Sequence, residues 1–205
     1  MQVYFSKITD FEDLKGVELL TVDRRAQFDR YSYLSDKAKC LVAGLLLRRA
    51  FGSRVNEIKI SNKGKPYFEN NDAFFNLSHS GDMVVLAVDA DEVGIDIEQI
   101  RLVNKRVAER CYTRDELDYL YSKSDLSEFY KLWTAKESLL KAIGSGFTVS
   151  PASFSVLPKE NGLHTLLGDD WYLTWYNFDD YECCLCSKTP EKVTPIYIDR
   201  EELLK

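Results

Sequence analysis

The sequence predicts an α+β protein built from two similar halves. Helical segments followed by short β-like segments occur twice along the chain, which is the order expected of two packed α+β units. No long linker interrupts the chain, and ten glycines and five prolines in 205 residues leave little room for a flexible connection. We therefore expect an N-terminal half over residues 1–100 and a C-terminal half over residues 101–205, packed against each other.

The N-terminal half begins with an alternating segment, Val3–Ile8, that predicts a strand. Residues 19–33 are mixed and charged and predict a helix. Ser35 is a favourable N-cap residue and Gly52 a favourable stop for a second helix over residues 36–51. Three short β-like runs follow and predict an antiparallel meander. These runs are Phe74–Ser78, Met83–Val88 and Val93–Glu98.

The C-terminal half opens with a predicted helix over residues 104–110. Thr113-Arg-Asp-Glu116 has the pattern of a capping box, which predicts the start of another helix. A long helix over Ser127–Ile143 should end at Gly144. Strands are predicted near Ser153–Leu157, Trp171–Tyr176 and Glu182–Ser187.

Composition and charge exclude several classes of protein. The 27 Lys and Arg residues and 33 Asp and Glu residues give a net charge of −6. Non-specific binding of nucleic acid by the whole surface is therefore not expected, although a local basic site remains possible. No apolar run reaches the roughly 18 residues of a membrane-spanning helix, and the N-terminus lacks a secretory pattern. We expect a cytoplasmic protein without membrane or nucleic-acid partners.

The five cysteines indicate reduced thiols, because an odd number in a chain without a secretory leader argues against a disulfide framework. Cys183-Cys-Leu-Cys186 has two interpretations, a metal site or a strand that uses cysteine as a small apolar residue. The surrounding sequence favours the strand, and the presence of only two histidines excludes a His-rich zinc site.

Two carboxylates in Val93-Gly-Ile-Asp-Ile-Glu98 form the first candidate site. On a strand Asp96 and Glu98 lie on the same face, while Ile95 and Ile97 face the other way. Neighbouring carboxylates repel each other unless a cation lies between them, and Mg²⁺ accepts oxygen ligands of this kind. The alternative is a half-buried strand with a solvated acidic face.

The helix over Phe129–Lys141 supplies the second candidate. Lys136, Glu137 and Lys141 fall on one side of the helix, so a third carboxylate would lie beside two cations. Glu137 could complete a metal site, and the lysines could bind phosphates. The alternative is a surface pair of Glu137 and Lys141 that supports the helix by a few tenths of a kcal/mol. Residues 144–147 would either let the backbone approach a ligand or simply cap the helix.

Phe74-Phe-Asn-Leu-Ser-His-Ser-Gly81 is the third candidate, since it places polar side chains and His79 at the end of a strand. These residues could contact a ligand, or His79 could be an ordinary turn residue. A Ser/His hydrolase is excluded, because no G-x-S-x-G elbow exists and Ser78 and His79 point apart. Upstream, Lys63-Gly-Lys-Pro-Tyr67 is a basic turn without the phosphate-loop pattern, and its alternative is a solvated hairpin.

The order of these motifs resembles the 4′-phosphopantetheinyl transferase family. The motifs are G-K-P, F-N-L-S-H-S, G-I-D-I-E and W-x-x-K-E-S-x-x-K, between Lys63 and Gly146. The chain is most similar to the monomeric, two-halved type represented by the surfactin-synthetase activator. The resemblance implies transfer of 4′-phosphopantetheine from coenzyme A to a serine of an apo acyl or peptidyl carrier protein. It further implies release of adenosine 3′,5′-bisphosphate and an active site between the halves.

The resemblance also implies roles for individual residues. Asp96, Glu98 and Glu137 would hold Mg²⁺, and Glu137 would deprotonate the carrier serine, directly or through a metal-bound water. Lys136 and Lys141 match lysines associated with the phosphates. Contacts with coenzyme A are implied for a further six residues, namely Arg24, Lys39, Lys65, Pro66, Ser78 and His79. Cys40 departs from the family, because a residue with a hydroxyl group is usual there.

Two alternatives to a transferase remain open at this stage. One is a non-catalytic module that binds a nucleotide or coenzyme A, and the other is an interaction domain without a ligand. Three intact carboxylates favour the enzyme. For the carrier, which is generally acidic, the chain offers a basic cluster whose alternative is a solvated helix face. The cluster is Arg101, Lys105, Arg106, Arg110 and Arg114.

Overall fold

The computed structural model describes residues 1–102, 105–144 and 148–205. In chain order the strands are β1 Gln2–Lys7, β2 Lys59–Ile60, β3 Pro66–Tyr67, β4 Phe74–Ser80, β5 Met83–Asp89, β6 Val93–Gln99, β7 Leu163–Leu166, β8 Asp169–Phe178, β9 Tyr181–Ser187 and β10 Ile196–Tyr197. The helices are α1 Val22–Arg30, α2 Leu34–Phe51, α3 Lys105–Cys111, α4 Arg114–Tyr121, α5 Ser127–Ile143 and α6 Arg200–Leu203.

The chain forms two compact units, one of residues 1–90 with 193–205 and one of residues 91–192. Each unit combines helices with a four-stranded sheet, so the predicted α+β class with two such halves is confirmed. The predicted boundary at residues 100 and 101 differs from this division. β6 belongs to the second unit, and the last thirteen residues return to the first, where β10 pairs in parallel with β1.

The sheet of the first unit has the strand order β10–β1–β5–β4. α2 packs on it through an apolar face that includes Leu41 and Leu45, which lie in one buried cluster with Phe75 and Leu86. This helix begins at Leu34, earlier than predicted, and its N-cap residue is Tyr33 rather than Ser35. The helix ends at Gly52 as predicted, and a φ of 58° there is readily adopted only by glycine.

The sheet of the second unit is antiparallel, with the order β6–β9–β8–β7. α5 crosses it at very close range at Gly94 of β6. A β-carbon on Gly94 would lie 2.0 Å from the carbonyl oxygen of Ser138 and 2.5 Å from the nitrogen of Ala142. Because only glycine fits there, the α5-facing side of β6 is the side of residues 94, 96 and 98.

Several sequence predictions about the second unit are confirmed. The capping box of Thr113 and Glu116 starts α4, with both of its hydrogen bonds present. α5 covers Ser127–Ile143 and ends at Gly144, whose φ is 69°. The cysteines at 183, 184 and 186 are buried in β9, so this run is a strand. Residue 104 and residues 145–147 of the predicted helix start and glycine turn lie outside the described residues.

Other predictions are wrong. β6 does not continue a meander with β4 and β5, because it pairs along its whole length with β9. Residues 154–157 form no strand, and a short 3-10 turn over Pro151–Ser153 precedes them. Their backbone is instead held by side chains, as the amide of Val156 donates to Oε1 of Glu116 at 2.8 Å. A buried carboxylate acceptor of this kind leaves no periodicity in the sequence.

Candidate active site

Carboxylates from a strand and a helix meet beside a lysine where α5 packs on β6. Asp96 on β6 is buried, with 4% of its surface exposed. Lys141 on α5 donates to Oδ1 of Asp96 at 2.6 Å and to the carbonyl oxygen of Ile95 at 3.3 Å. Glu137 lies one turn earlier on the same side of α5. The ion pair of Lys141 with Asp96 therefore connects α5 to the strand.

Glu137 lies within electrostatic reach of the two strand carboxylates. Burial raises the pKa of Glu137, and the negative charges of Asp96 and Glu98 raise it further, while Lys141 opposes the shift. Oε1 of Glu137 is buried and has no hydrogen-bond partner among the described residues. An ionised carboxylate in this position favours a nearby cation.

The donor chemistry suits a small, hard cation, because all three groups are carboxylates and Oε1 of Glu137 accepts no hydrogen bond from the described part of the chain. In the described part of the chain, however, no set of three or more His, Cys, Asp or Glu side chains is close enough to surround a metal ion. The positive charge next to Asp96 is the ammonium group of Lys141. The side chains would have to move inward to bind a metal together.

Lys136 does not lie where the phosphate prediction requires it. Its side chain is fully buried and forms an ion pair with the equally buried Glu116, with an Nζ–Oε2 distance of 2.7 Å. Nζ also donates to the carbonyl oxygens of Pro151 and Phe154. Residues 136 and 141 are five positions apart, so their side chains point about 140° apart around the helix axis and do not share one side. Lys136 faces α4 and residues 151–156, away from Asp96.

The first unit contains a cavity of about 620 Å³ between α1, α2 and the β2–β3 turn. Three residues implied to contact coenzyme A line it, namely Arg24, Pro66 and His79. The cavity is also lined by apolar side chains such as Leu47 and Ile60. A cavity with apolar walls and a few convergent cationic or polar groups is typical of a site for a small ligand.

Arg24 and Arg48 are the two arginines that line this cavity. Burial lowers the pKa of the Arg24 guanidinium group, because the charged form loses water. Its Nη1 donates to Oε1 of Gln27 at 3.1 Å, and no carboxylate of the described residues forms an ion pair with it. A β-carbon at Gly44 would lie 3.2 Å from Cγ of Arg24. The guanidinium group therefore lies close against α2 with hydrogen-bonding capacity for an anion.

Three other predicted residues do not line this cavity. Ser78 is buried, and it faces the opposite side of β4 from His79, because neighbouring strand residues alternate. Lys39 forms an ion pair with Asp36 at 3.5 Å on the same helix. Lys65 belongs to the β2–β3 turn, where its amide donates to Oγ of Ser61 at 3.0 Å. The structure thus brings together half of the six residues.

Sequence reasoning did not identify the buried neighbours of the carboxylates. Glu116 was recognised as a capping residue, yet its second role as the partner of Lys136 had no sequence signal. Cys111 at the end of α3 lies close enough to Lys136 and Glu137 for their charges to act on its thiol, whose pKa burial raises. Glu182 pairs in register with Glu98 across β9 and β6. The alternation of side chains along β9 indicates that Glu182 and Cys184 lie on one face of that strand, but the sequence does not indicate that this face lies beside Asp96 and Glu98.

The basic cluster after β6 is partly described. Arg101 is exposed, and its guanidinium group hydrogen-bonds to Oε1 of Gln99. Arg106 and Arg110 are exposed on α3, and Arg114 begins α4 and is paired with Asp118 at 3.7 Å. Within the described ranges, no helix has both the length and the apolar character needed to cross a membrane.

Two family models match the chain over most of its length. Residues 10–91 match the model described as "4′-phosphopantetheinyl transferase, N-terminal", and residues 92–186 match the "4′-phosphopantetheinyl transferase superfamily". The boundary between the two matches falls one residue from the division between the two compact units.

Curated relatives agree with these matches. The 4′-phosphopantetheinyl transferase psf-1 of Bacillus pumilus is 33% identical over 83% of this chain and 80% of its own. The 4′-phosphopantetheinyl transferase gsp of Aneurinibacillus migulanus is also 33% identical, over 80% of this chain and 75% of its own. The 4′-phosphopantetheinyl transferase Sfp of Bacillus subtilis is 29% identical over 94% of this chain and 93% of its own.

Proposed function

The chain belongs to the 4′-phosphopantetheinyl transferase superfamily, and from this premise we propose its reaction and the residues that perform it. The enzyme transfers the 4′-phosphopantetheine group of coenzyme A to a serine of an apo acyl or peptidyl carrier protein. The reaction depends on Mg²⁺ and releases adenosine 3′,5′-bisphosphate. The observation that carries the proposal is the ion pair of Asp96 and Lys141 in the second unit, beside Glu137 and within reach of the charge of Glu98.

Asp96, Glu98 and Glu137 are the residues that would hold Mg²⁺. Two features support this assignment: the donor set is purely carboxylate, and the buried Oε1 of Glu137 has no hydrogen-bond partner within the described ranges. When bound, the ion would supply positive charge to the pyrophosphate of coenzyme A. Lys141 contributes a second positive charge close to the same carboxylates. In a phosphoryl transfer, positive groups of this kind stabilise the charge that develops on the phosphate oxygens.

Glu137 is the proposed general base for the carrier serine. A serine hydroxyl is a weak nucleophile at neutral pH, and a positioned base accelerates its attack by roughly 10²–10⁴. Burial and the neighbouring carboxylates raise the pKa of Glu137. A cation held by the same carboxylate would lower this pKa again, so the base role rests on the position of Glu137 on α5 beside the strand carboxylates. The proton of the serine hydroxyl would move to a carboxylate oxygen of Glu137.

The cavity of the first unit is the proposed site for the nucleotide part of coenzyme A. Arg24 and His79 would contact phosphate groups, and Pro66 and the apolar wall would contact the base and ribose. The partly buried guanidinium group of Arg24, which lacks a carboxylate partner among the described residues, supports an anionic ligand. Lys39, Lys65 and Ser78 are not assigned to this cavity.

The partners and surroundings of the enzyme follow from the same proposal. The carrier protein and coenzyme A are its two substrates, and fatty acid, polyketide and peptide pathways all use such carriers. The chain would act as a monomer, like the two-halved members of the family that its sequence resembles. Its five free cysteines support a cytoplasmic location, where thiols stay reduced.

The test is the gain in mass of apo carrier proteins incubated with the chain and coenzyme A. We expect transfer to at least one of a panel of acyl and peptidyl carriers, and loss of transfer when Mg²⁺ is chelated. Asp96→Asn and Glu137→Gln should abolish transfer while the protein remains folded, as followed by its melting temperature. Coenzyme A binding without transfer to any carrier would instead identify a non-catalytic binding module.

A further inference from the structure

An ion pair buried on the far side of α5 connects three parts of the second unit. Nζ of Lys136 lies 2.7 Å from Oε2 of Glu116, and neither side chain has any exposed surface. Nζ also donates to the carbonyl oxygens of Pro151 and Phe154 at 2.7 and 2.5 Å. An ammonium group has three protons, so its hydrogen-bonding capacity is fully used within the protein.

The carboxylate of Glu116 is equally well satisfied. Its Oε2 accepts from the amide of Thr113 at 2.8 Å, which caps α4, and its Oε1 accepts from the amide of Val156 at 2.8 Å. A single carboxylate therefore joins the start of α4, the irregular segment before β7, and α5. Each of these contacts is directional, unlike the apolar packing around it.

The direction of Lys136 fixes the direction of its neighbour Glu137. Consecutive side chains of an α-helix are about 100° apart around the axis. With Lys136 held against Glu116, Glu137 faces β6, where it senses the charges of Asp96 and Glu98. A small rotation of α5 would move the carboxylate of Glu137 away from them.

We propose that Glu116 and Lys136 are positioning residues, which set the rotation of α5 and thereby aim Glu137 at the carboxylates of β6. Lys136 does not contact the phosphates of coenzyme A. The inference rests on the proposed function, since the orientation of Glu137 matters only if Glu137 holds the cation and accepts the serine proton. Neither residue touches a reacting atom, so their substitution should change turnover and cation affinity but leave the binding of coenzyme A intact.

The test uses a double variant, because removing one partner of a buried ion pair strands the other charge. Lys136→Met alone should lower the melting temperature strongly, since Glu116 would be left without a counter-charge. Glu116→Gln combined with Lys136→Met removes both charges and should recover most of that loss. Lys131→Met is the matched control, because this lysine lies on the same helix and is partly exposed.

Three quantities are measured well below the melting temperature: kcat for carrier modification, Kd for coenzyme A by calorimetry, and Mn²⁺ affinity by electron paramagnetic resonance. In the double variant we expect kcat and Mn²⁺ affinity to fall about tenfold or more, with Kd for coenzyme A within twofold of the wild type. Glu116→Asp keeps both charges and shortens the connection by one methylene, so it should lower kcat and Mn²⁺ affinity less. Lys131→Met should match the wild type in all three.

Two results would overturn the inference. A tenfold rise in Kd for coenzyme A in the folded double variant would mean that Lys136 contacts the ligand. Wild-type kcat and Mn²⁺ affinity in that variant would mean that the pair only stabilises the fold. A failure of the proposed function is distinguishable from both, because the wild-type chain itself would then modify no carrier, while the Mn²⁺ measurement still reports on Glu137.

Discussion

Nζ of Lys141 lies 2.6 Å from Oδ1 of Asp96, so a lysine of α5 neutralises a carboxylate of β6 inside the candidate site. The side chain of Asp96 is 5% exposed and that of Lys141 is 28% exposed. A carboxylate this deeply buried requires a nearby positive charge. Lys141 supplies that charge in this structure, and a divalent cation bound by Asp96, Glu98 and Glu137 would supply it as well.

Substitution of Lys141 should therefore make the protein depend on a divalent cation. Lys141→Met removes the ammonium group beside the buried carboxylate of Asp96 and should cost roughly 1–3 kcal/mol of stability. Saturating Mg²⁺ should raise the melting temperature of Lys141→Met more than that of the wild type. Lys131→Met serves as the control on the same helix. Equal Mg²⁺-induced shifts in all three proteins would contradict a cation site at Asp96.

Gly94 should be irreplaceable because of how closely α5 approaches it. In Gly94→Ala the new methyl group would lie 2.0 Å from the carbonyl oxygen of Ser138, so α5 has to move. We expect a loss of about 3 kcal/mol or more in urea denaturation, at the upper end for overpacked sites. Gly168→Ala is the control, because its β-carbon meets open space and only the φ of 89° adds strain of roughly 1–2 kcal/mol. Similar losses in both variants would show that close packing is not the cause.

The local elements of the site were predictable from the sequence, while their partners were not. Alternation placed Asp96 and Glu98 on one face of a strand, and the capping box and Gly144 fixed the helices around α5. These features depend on neighbours in the chain. The pairing of β6 with β9 joins residues about ninety positions apart. The short turn before β6 is also what a third strand of a meander would have, so the local sequence does not show that β6 leaves the first sheet.

Lys136 shows why a motif alone was insufficient. The pattern Lys136-Glu137 predicts two polar side chains near a ligand, and one of them is instead in the core with Glu116. A fully buried lysine is rare, so the residue type alone predicts an exposed position for Lys136. Only the tertiary position of Glu116, twenty residues earlier, provides the counter-charge that makes burial tolerable. Distance in sequence between the partners, rather than weak local propensity, limited the prediction.

His164 should make the stability of the second unit fall in acid. Burial lowers its pKa to about 4, against 6.5 for an accessible histidine. The folded protein therefore favours the neutral imidazole, while the unfolded chain takes up a proton below about pH 6.5. The stability that His164 contributes is complete above pH 6.5 and is lost as the pH falls toward 4. The shift corresponds to a loss of up to about 3 kcal/mol. His164→Gln, which cannot titrate, should lose less stability between pH 7 and pH 4 in urea denaturation. If His164→Gln loses as much stability between pH 7 and pH 4 as the wild type does, the acid sensitivity does not come from His164.

His79 should distinguish coenzyme A from dephospho-coenzyme A if it contacts the 3′-phosphate in the cavity of the first unit. His79→Ala should weaken binding of coenzyme A about tenfold, which corresponds to the loss of one hydrogen bond to a charged group. Dephospho-coenzyme A should bind this variant and the wild type alike. Ser78→Ala, on the opposite face of β4, is the control and should leave both affinities unchanged. Calorimetry showing equal losses for the two ligands would assign His79 another role.

The exposed arginines of α3 should govern the encounter with an acidic carrier protein. Arg106 and Arg110 are both exposed and lie about one turn apart, shortly after β6 in the second unit. Surface charges of this kind act mainly on the rate of association, and their effect fades as salt shortens the Debye length to about 10 Å at 0.1 M. Arg106→Glu with Arg110→Glu should therefore raise KM for the carrier severalfold at low salt, without changing Kd for coenzyme A.

The control for this effect is a pair of substitutions with the same change in net charge elsewhere on the surface. Lys159 and Lys192 are exposed and lie outside α3, so Lys159→Glu with Lys192→Glu should alter KM for the carrier much less. The wild-type KM should also rise with ionic strength, and the α3 variant should lose most of that dependence, because the charges that salt screens are gone. If the α3 variant keeps the wild-type KM at low salt, or if the control pair raises KM equally, α3 is not the surface on which the carrier docks.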